Sequence, residues 1–165
     1  MTMIDPDAPA VIVRSAAAET LGDPVHPPAV RLLADSSATG GALSAQRVFL
    51  GRGAEGANPH RHTRSSEVFY VLDGSAQILA GTEVVTMRQG DFAVVPPDLP
   101  HAFAASADSG TDLLIMITPG VERFGYFRLL ARLVQGQATN DELLAAQERY
   151  DNYFLDSPQW QAARA

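Results

Sequence analysis

Short apolar segments separated by turn residues dominate the middle of the chain. The dipeptide Asp73-Gly74 stands between two such segments and predicts a hairpin turn. Residues 51–59 are rich in glycine and predict a loop. No helical period interrupts these segments, and many short strands at close spacing favour an antiparallel sandwich or barrel. The segments predicted as strands are 29–35, 42–50, 67–72, 76–80, 83–87, 91–95, 101–105 and 112–118.

The spacing of the apolar positions changes after the last of these strands. Between residues 121 and 134 the apolar side chains recur three and four positions apart, which predicts an amphipathic helix that Gly136 ends. Thr139 and Glu142 have the spacing of a capping box. They predict the start of a second helix over residues 140–154.

The patterns divide the chain into three parts. We predict an N-terminal arm over residues 1–28, a barrel over residues 29–118 and a helical extension over residues 119–165. The arm is rich in proline, alanine and acidic residues, and its one apolar run, Val11–Val13, is a strand candidate. The end of the extension is polar apart from Trp160.

Composition excludes several kinds of chemistry. The chain of 165 residues has no cysteine, and all 12 of its basic residues are arginine. Thiolate nucleophiles, disulfides, thiolate metal sites and Schiff-base lysines are therefore ruled out. The net charge of −7, without an arginine cluster, argues against nucleic acid or an anionic membrane as a partner. No membrane-spanning run or signal-peptide pattern is visible, so we expect a cytoplasmic protein.

Three of the four histidines and one glutamate form a candidate metal site. Side chains alternate along a strand, so His60 and His62 would point the same way while Arg61 points away. Glu67 opens the next apolar segment, and His101 follows a proline-rich bend. Three imidazoles and one carboxylate suit one divalent transition metal ion: iron, nickel, manganese, cobalt, copper or zinc.

The same alternation predicts the surroundings of the metal. If Glu67 faces the ion, Phe69 and Val71 face it too, and Phe103 shares the face of His101. These three apolar side chains are our candidates for a substrate pocket, which would favour a flat organic molecule. They would look the same in the sequence if they were ordinary barrel core.

The metal-site segments resemble the two motifs of the cupin superfamily. Residues 60–74 resemble the first motif, H-x-H, a short spacer, E, six residues and then G. Residues 90–105 resemble the second motif and place His101 at its ligand position. Asp98 stands where that motif usually has glycine, which leaves the geometry of this loop open. The resemblance implies an all-β fold, a double-stranded β-helix (cupin jelly-roll) barrel, here with a C-terminal helical extension.

A single cupin domain followed by two helices is similar to the small bacterial cupins related to quercetin dioxygenase. The pair Arg149-Tyr150 fits the tyrosine-containing stretch near the end of those chains. The resemblance implies a metal-dependent dioxygenase that acts on a flavonol or a similar aromatic or enolic molecule. Glu67 would then be both a metal ligand and the catalytic base.

Two other functions fit the same residues. A polyketide cyclase or isomerase would use the metal as a Lewis acid, without redox change, on a polyketide-like substrate. A non-catalytic cupin would bind a metal and a small molecule only. Cupin barrels commonly pair through an edge strand or an N-terminal arm, so we also expect a homodimer.

Overall fold

The structure, a computed structural model, describes residues 7–165. Antiparallel strands form a curled sheet in two halves, ordered β1-β2-β3-β9-β5-β7 and β6-β5-β8-β4-β10. The strands are β1 (Thr20–Gly22), β2 (Ala29–Ala34), β3 (Ser44–Leu50), β4 (Glu55–Arg61), β5 (Ser66–Ala80), β6 (Glu83–Arg88), β7 (Phe92–Val95), β8 (His101–Ala105), β9 (Thr111–Thr118) and β10 (Tyr153–Phe154). The predicted β barrel with a C-terminal helical extension is confirmed.

Strand β5 is continuous, and the hairpin predicted at Asp73-Gly74 is wrong. The first half of this 15-residue strand pairs with β7 and β9, and its second half pairs with β6 and β8. Gly74 has a φ of +72° beside a register shift, where the strand passes from one half of the sheet to the other. A side chain there would collide with the carbonyl oxygen of Gly110. The glycine thus permits a bulge rather than a turn.

Two further predictions near the N-terminus are wrong. Val11–Val13 form no strand and are exposed; the arm instead contributes β1, which pairs with the start of β2. The predicted loop over 51–59 contains most of β4, which begins at Glu55. Two register shifts against β8 accommodate the glycine and proline that suggested a loop.

The barrel core lies between the two halves of the sheet. Phe69 and Val71 of β5 are fully buried in it, whereas Tyr70 between them is 37% exposed, as alternation predicts. Val68, which alternation places on the opposite face from Phe69, is buried as well. The other buried residues of this core are Val48, Leu50, Ala76, Ile78, Met87, Val95, Phe103, Ala105, Leu113 and Ile115.

The extension contains four short helices rather than two. They are α1 (Phe124–Val134), α2 (Asn140–Ala145), α3 (Gln147–Tyr150) and α4 (Pro158–Arg164). The capping box of Thr139 and Glu142 is confirmed. The second predicted helix ends early because Asp151 adopts a left-handed conformation, with a φ of +50°. None of the described helices is long and apolar enough to cross a membrane.

Candidate metal centre

The four predicted metal ligands lie together at one end of the barrel. His60 is the penultimate residue of β4, His101 opens β8 directly beside it, Glu67 lies near the start of β5, and His62 follows β4. Each is at most 3% exposed. One ligand atom from each residue falls within 4.8 Å of all the others. Donors about 2.1 Å from one ion would lie roughly 3–4 Å apart, so the group fits a single metal ion. The remaining histidine, His26, lies in an exposed turn beside Asp23.

Backbone carbonyl groups orient all three imidazoles. The Nδ1 atom of His60 lies 2.7 Å from the carbonyl oxygen of Asn58, and that of His101 lies 2.8 Å from the carbonyl oxygen of Leu99. An Nδ1–H that donates to a carbonyl leaves the Nε2 lone pair free for a metal. The Nε2 atoms of the histidines accordingly face Glu67 Oε2, at 3.7 Å for His60, 3.2 Å for His62 and 2.5 Å for His101.

The electrostatics of the group favour charged Glu67 and neutral His60. Burial opposes ionisation of Glu67, but hydrogen bonds from the imidazoles, that of His101 foremost, hold its pKa well below the usual value. Burial and the charge of His101 lower the pKa of His60 to about 4. Burial also opposes charge on His101, but its contact with Glu67 raises the pKa of that imidazole. A carboxylate and a neutral imidazole are the ligand forms that a metal requires.

Asp151, which sequence reasoning missed, holds the loop that carries His62. Its carbonyl oxygen lies 2.6 Å from His62 Nδ1. Its carboxylate accepts hydrogen bonds from the backbone N–H groups of Thr63 and Arg64 and from the Thr63 hydroxyl, at 2.6–3.1 Å. Burial opposes its ionisation, but these hydrogen bonds lower the pKa of Asp151 overall. The helical extension thus supplies the support of one metal ligand.

Arg123 is a second residue that sequence reasoning missed. It precedes α1 and is 3% exposed. Its Nη1 donates to the carbonyl oxygen of Tyr150 at 3.3 Å, and its guanidinium lies 4.2 Å from the centre of the Tyr126 ring. Its charge acts on both Glu67 and His101. No sequence pattern distinguishes it from the exposed arginines of the following helix.

The predicted pocket residues lie beside the metal cluster but are packed into the core. The Phe69 ring centre is 6.3 Å from that of His101 and 5.7 Å from that of Phe103. Val71 is completely buried in the same cluster. Their role towards a substrate stays a prediction. A surface cleft of about 460 Å³ lies between β4, β10 and α4; Asn58 and Phe154 are among the residues that line it, and the four cluster residues are not.

The unusual residue of the second motif adopts the backbone conformation that glycine would. Asp98 has a φ of +66°, its N–H donates to the carbonyl oxygen of His62 at 2.7 Å, and its carboxylate pairs with Arg61 on the surface. Arg61 thus points away from its two histidine neighbours, as predicted. The departure from the motif leaves the loop beside the metal cluster intact.

Residues 46–117 match the family model of the cupin domain. A curated relative, an uncharacterised protein of Methanocaldococcus jannaschii, is 33% identical over 42 residues, which cover 26% of this chain and 34% of that protein. The chain therefore spans about a third of the length of the curated relative that it matches.

Solved structures of low sequence identity share the fold. A predicted oxalate decarboxylase of Thermotoga maritima has a TM-score of 0.55 and 19% identity, covering 65% of this chain and 97% of that chain. KdgF of a Halomonas species has a TM-score of 0.52 and 23% identity, covering 65% and 93%. Pac13 of Streptomyces, described as a nucleoside dehydratase, has a TM-score of 0.52 and 14% identity, covering 90% and 95%. The chain shares its jelly-roll fold with these structures and adds C-terminal helices, and its residues 46–117 match the cupin domain.

Proposed function

We propose that the protein is a metal-dependent dioxygenase that acts on a flavonol-like molecule or another aromatic or enolic small molecule. The observation that carries the proposal is the buried convergence of three imidazoles and one carboxylate. A divalent transition metal bound there would supply Lewis acidity to a substrate hydroxyl oxygen and, where redox-active, a route for reaction with dioxygen.

The side chains of this cluster have separate roles. His60, His62 and His101 would hold the metal through Nε2, and backbone carbonyl groups fix their Nδ1 atoms. Glu67 would be both a ligand and the base that accepts the proton of the substrate hydroxyl. The hydrogen bonds that lower the Glu67 pKa come from the Nε2 atoms that the metal would take, and the charge of a bound cation would keep the pKa of this carboxylate low in their place.

The surroundings of the cluster suit an aromatic substrate and exclude water. Phe69 and Phe103 provide an apolar wall beside His101. The segment around Asp151 covers the ligand loop. A dry site strengthens the electrostatic interactions that activate a hydroxyl group and protects a reactive anion from solvent.

Elemental analysis followed by oxygen-electrode assays tests the proposal. The purified protein should contain about one equivalent of a divalent transition metal. After reloading with iron, nickel, manganese, cobalt, copper or zinc, at least one form should consume dioxygen in the presence of quercetin. Product formed without oxygen uptake would favour the Lewis-acid cyclase or isomerase. Binding without turnover of any tested flavonol or polyketide would favour the binding module.

Glu67→Gln separates the two roles of this residue. Glutamine keeps an oxygen ligand but accepts a proton poorly, so metal content should persist in part while turnover falls by about 10²–10⁴-fold. The matched control is Glu148→Gln, which changes an exposed carboxylate of α3. A Glu67→Gln enzyme with its metal and full activity would refute the assignment of the base.

A further inference from the structure

Arg123 is a buried cation whose hydrogen-bonding capacity is largely unused. A guanidinium carries five N–H donors. In the described part of the chain its side chain donates only to the Tyr150 carbonyl oxygen, at a long 3.3 Å. Its Nε is buried and has no hydrogen-bond partner. A buried charged donor without an acceptor is unfavourable and calls for an explanation.

Ion pairing within the chain does not supply that explanation. Among residues 7–165 no carboxylate oxygen lies within 4.0 Å of the Arg123 guanidinium. The nearby Asp35 carboxylate accepts from the Arg123 backbone N–H, at 2.6 Å, rather than from its side chain. The Tyr126 ring covers one face of the guanidinium, which fixes its orientation and leaves donors at its edge.

The Arg123 side chain contacts Tyr150, the residue before Asp151, whose carbonyl group orients His62. Arg123 follows β9, whose residue Ile117 pairs directly with Glu67. The charge of Arg123 acts on Glu67 and on His101. Asn152, next to the residue that holds His62, is also buried and has an unpartnered Nδ2.

The charge at this end of the barrel favours an anion. A divalent ion held by three neutral imidazoles and Glu67 would retain a net positive charge, and Arg123 adds another. The carboxylates of Asp35 and Asp151 also act on Arg123, but they accept hydrogen bonds from backbone N–H groups rather than from its side-chain donors, so the guanidinium remains available to an anion. A planar guanidinium also matches an oxygen acid geometrically, with two parallel N–H···O hydrogen bonds.

We propose that Arg123 binds an ionised oxygen acid group, a carboxylate, phenolate or enolate, of the molecule that reaches the metal centre. Arg123 thereby makes the site selective for anionic aromatic or enolic substrates. This inference rests on the proposed function for the class of substrate, but it concerns binding and not the reaction that follows. A structural role for Arg123, balancing the charges of Asp35, Glu67 and Asp151, is the competing explanation.

Calorimetric titration of the cobalt-loaded protein without dioxygen tests the proposal. Benzoate is the anionic probe, and benzamide is its neutral counterpart of the same shape. In the wild type benzoate should bind more tightly. Arg123→Met should weaken benzoate binding roughly 10- to 100-fold and leave benzamide binding unchanged. Arg123→Lys keeps the charge but loses the planar guanidinium, so its affinity for benzoate should lie between those of the wild type and Arg123→Met. The control, Arg132→Met, changes an exposed arginine of α1 and should bind both probes as the wild type does.

Three results would overturn the inference. The first is that the wild type binds benzoate no more tightly than benzamide, a comparison that does not depend on the folding of any variant. The second is that Arg123→Met retains the wild-type preference for benzoate. The third is that Arg123→Met weakens the binding of both probes equally, as a structural role predicts. Cobalt content and circular dichroism check each variant. Preference for benzoate without any oxygen uptake on flavonols refutes the dioxygenase alone, whereas oxygen uptake with no such preference refutes the role of Arg123 alone.

Discussion

At the scale of single residues, the three imidazoles depend on supports of very different range. His60 and His101 each lie against the carbonyl oxygen two residues earlier in the chain, so a local backbone bend orients them. The acceptor of His62 is the carbonyl oxygen of Asp151, 89 residues away. Two ligands are therefore set by their own loops, and the third needs the folded extension.

His62→Ala should abolish stable metal binding while the barrel persists. The change removes one of four ligands but leaves the packed core untouched, because His62 lies beyond the end of β4. Elemental analysis should find metal content reduced to a small fraction of wild type, with an unchanged far-ultraviolet circular dichroism spectrum. His26→Ala, which removes an exposed imidazole, is the control. Full metal retention in His62→Ala would show that the cluster is not the metal site.

Substitutions of Asp98 test whether the left-handed backbone conformation at this position affects stability. Asp98→Ala should lower the free energy of unfolding by about 1–2 kcal/mol, since alanine tolerates a φ of +66° poorly. Asp98→Gly should stay within about 1 kcal/mol of the wild type, because glycine relieves the strain while the exposed pair with Arg61 is lost. Urea denaturation measures both, with the exposed Asp108→Ala as reference. Equal changes in the free energy of unfolding for alanine and glycine would show that the positive φ of Asp98 is not the cause.

Residues that stand in short motifs were predictable, and residues that act only through distant contacts were not. The spacing of His60, His62 and Glu67 within eight positions, and the resemblance to the two cupin motifs, identified these three residues and His101. Asp151 and Arg123 act through contacts with groups 27 to 89 positions away, and neither interrupts a periodic pattern. Nothing in the sequence separates them from ordinary charged residues of a helical segment.

At the scale of elements, α4 is fastened to the outside of the barrel by Trp160. This side chain is 4% exposed and packs on Leu79 of β5 and on Ala102 and Ala104 of β8. Arg164 adds hydrogen bonds to several groups of the same surface. The polar tail expected from the sequence is thus an anchored helix.

Trp160→Ala should therefore destabilise the protein by about 3–5 kcal/mol, because it removes a large buried aromatic side chain. Leu144→Ala, on α2, is the comparison: Leu144 is half exposed, and its truncation should cost less than about 1 kcal/mol. Thermal and urea denaturation of the two variants would measure the difference. Similar values for both would mean that α4 is not packed on the barrel in solution.

The contact between the extension and the ligand loop should control metal affinity. Asp151→Ala removes the carboxylate that accepts from the N–H groups of Thr63 and Arg64, next to His62. We expect the metal dissociation constant to rise about 10- to 100-fold, as for other supports of metal ligands. Competition with a chelator measures the constant, and Asp141→Ala on the exposed start of α2 should leave it unchanged. An unaltered metal dissociation constant in Asp151→Ala would show that the contact of the Asp151 carboxylate with the His62 loop does not affect metal affinity.

The elements that sequence predicted poorly share a physical cause. Asp73-Gly74 has the composition of a turn, but its glycine serves a bulge inside β5, and only pairing with four other strands reveals this. Val11–Val13 has the composition of a strand, but no strand within residues 7–165 pairs with it. Local composition records conformational preference, whereas tertiary pairing decides the outcome.

At the scale of the whole molecule, the homodimer expected from the sequence stays a prediction. The edge strand β7 exposes Phe92 and Val94, at 62% and 54%, which is consistent with pairing between copies. Light scattering at micromolar concentration should give twice the chain mass of 17.6 kDa. Phe92→Lys should shift this mass to that of one chain. A wild-type protein with the mass of one chain at these concentrations would refute the predicted homodimer.

The dependence of His62 on Asp151 gives metal loading an order in time. During translation, at about 5–20 residues per second, the barrel strands leave the ribosome several seconds before residue 151 does. In that interval His62 would lack the carbonyl group that fixes its imidazole. An ion captured early would therefore exchange more freely than one bound after the segment around Asp151 has folded against the ligand loop.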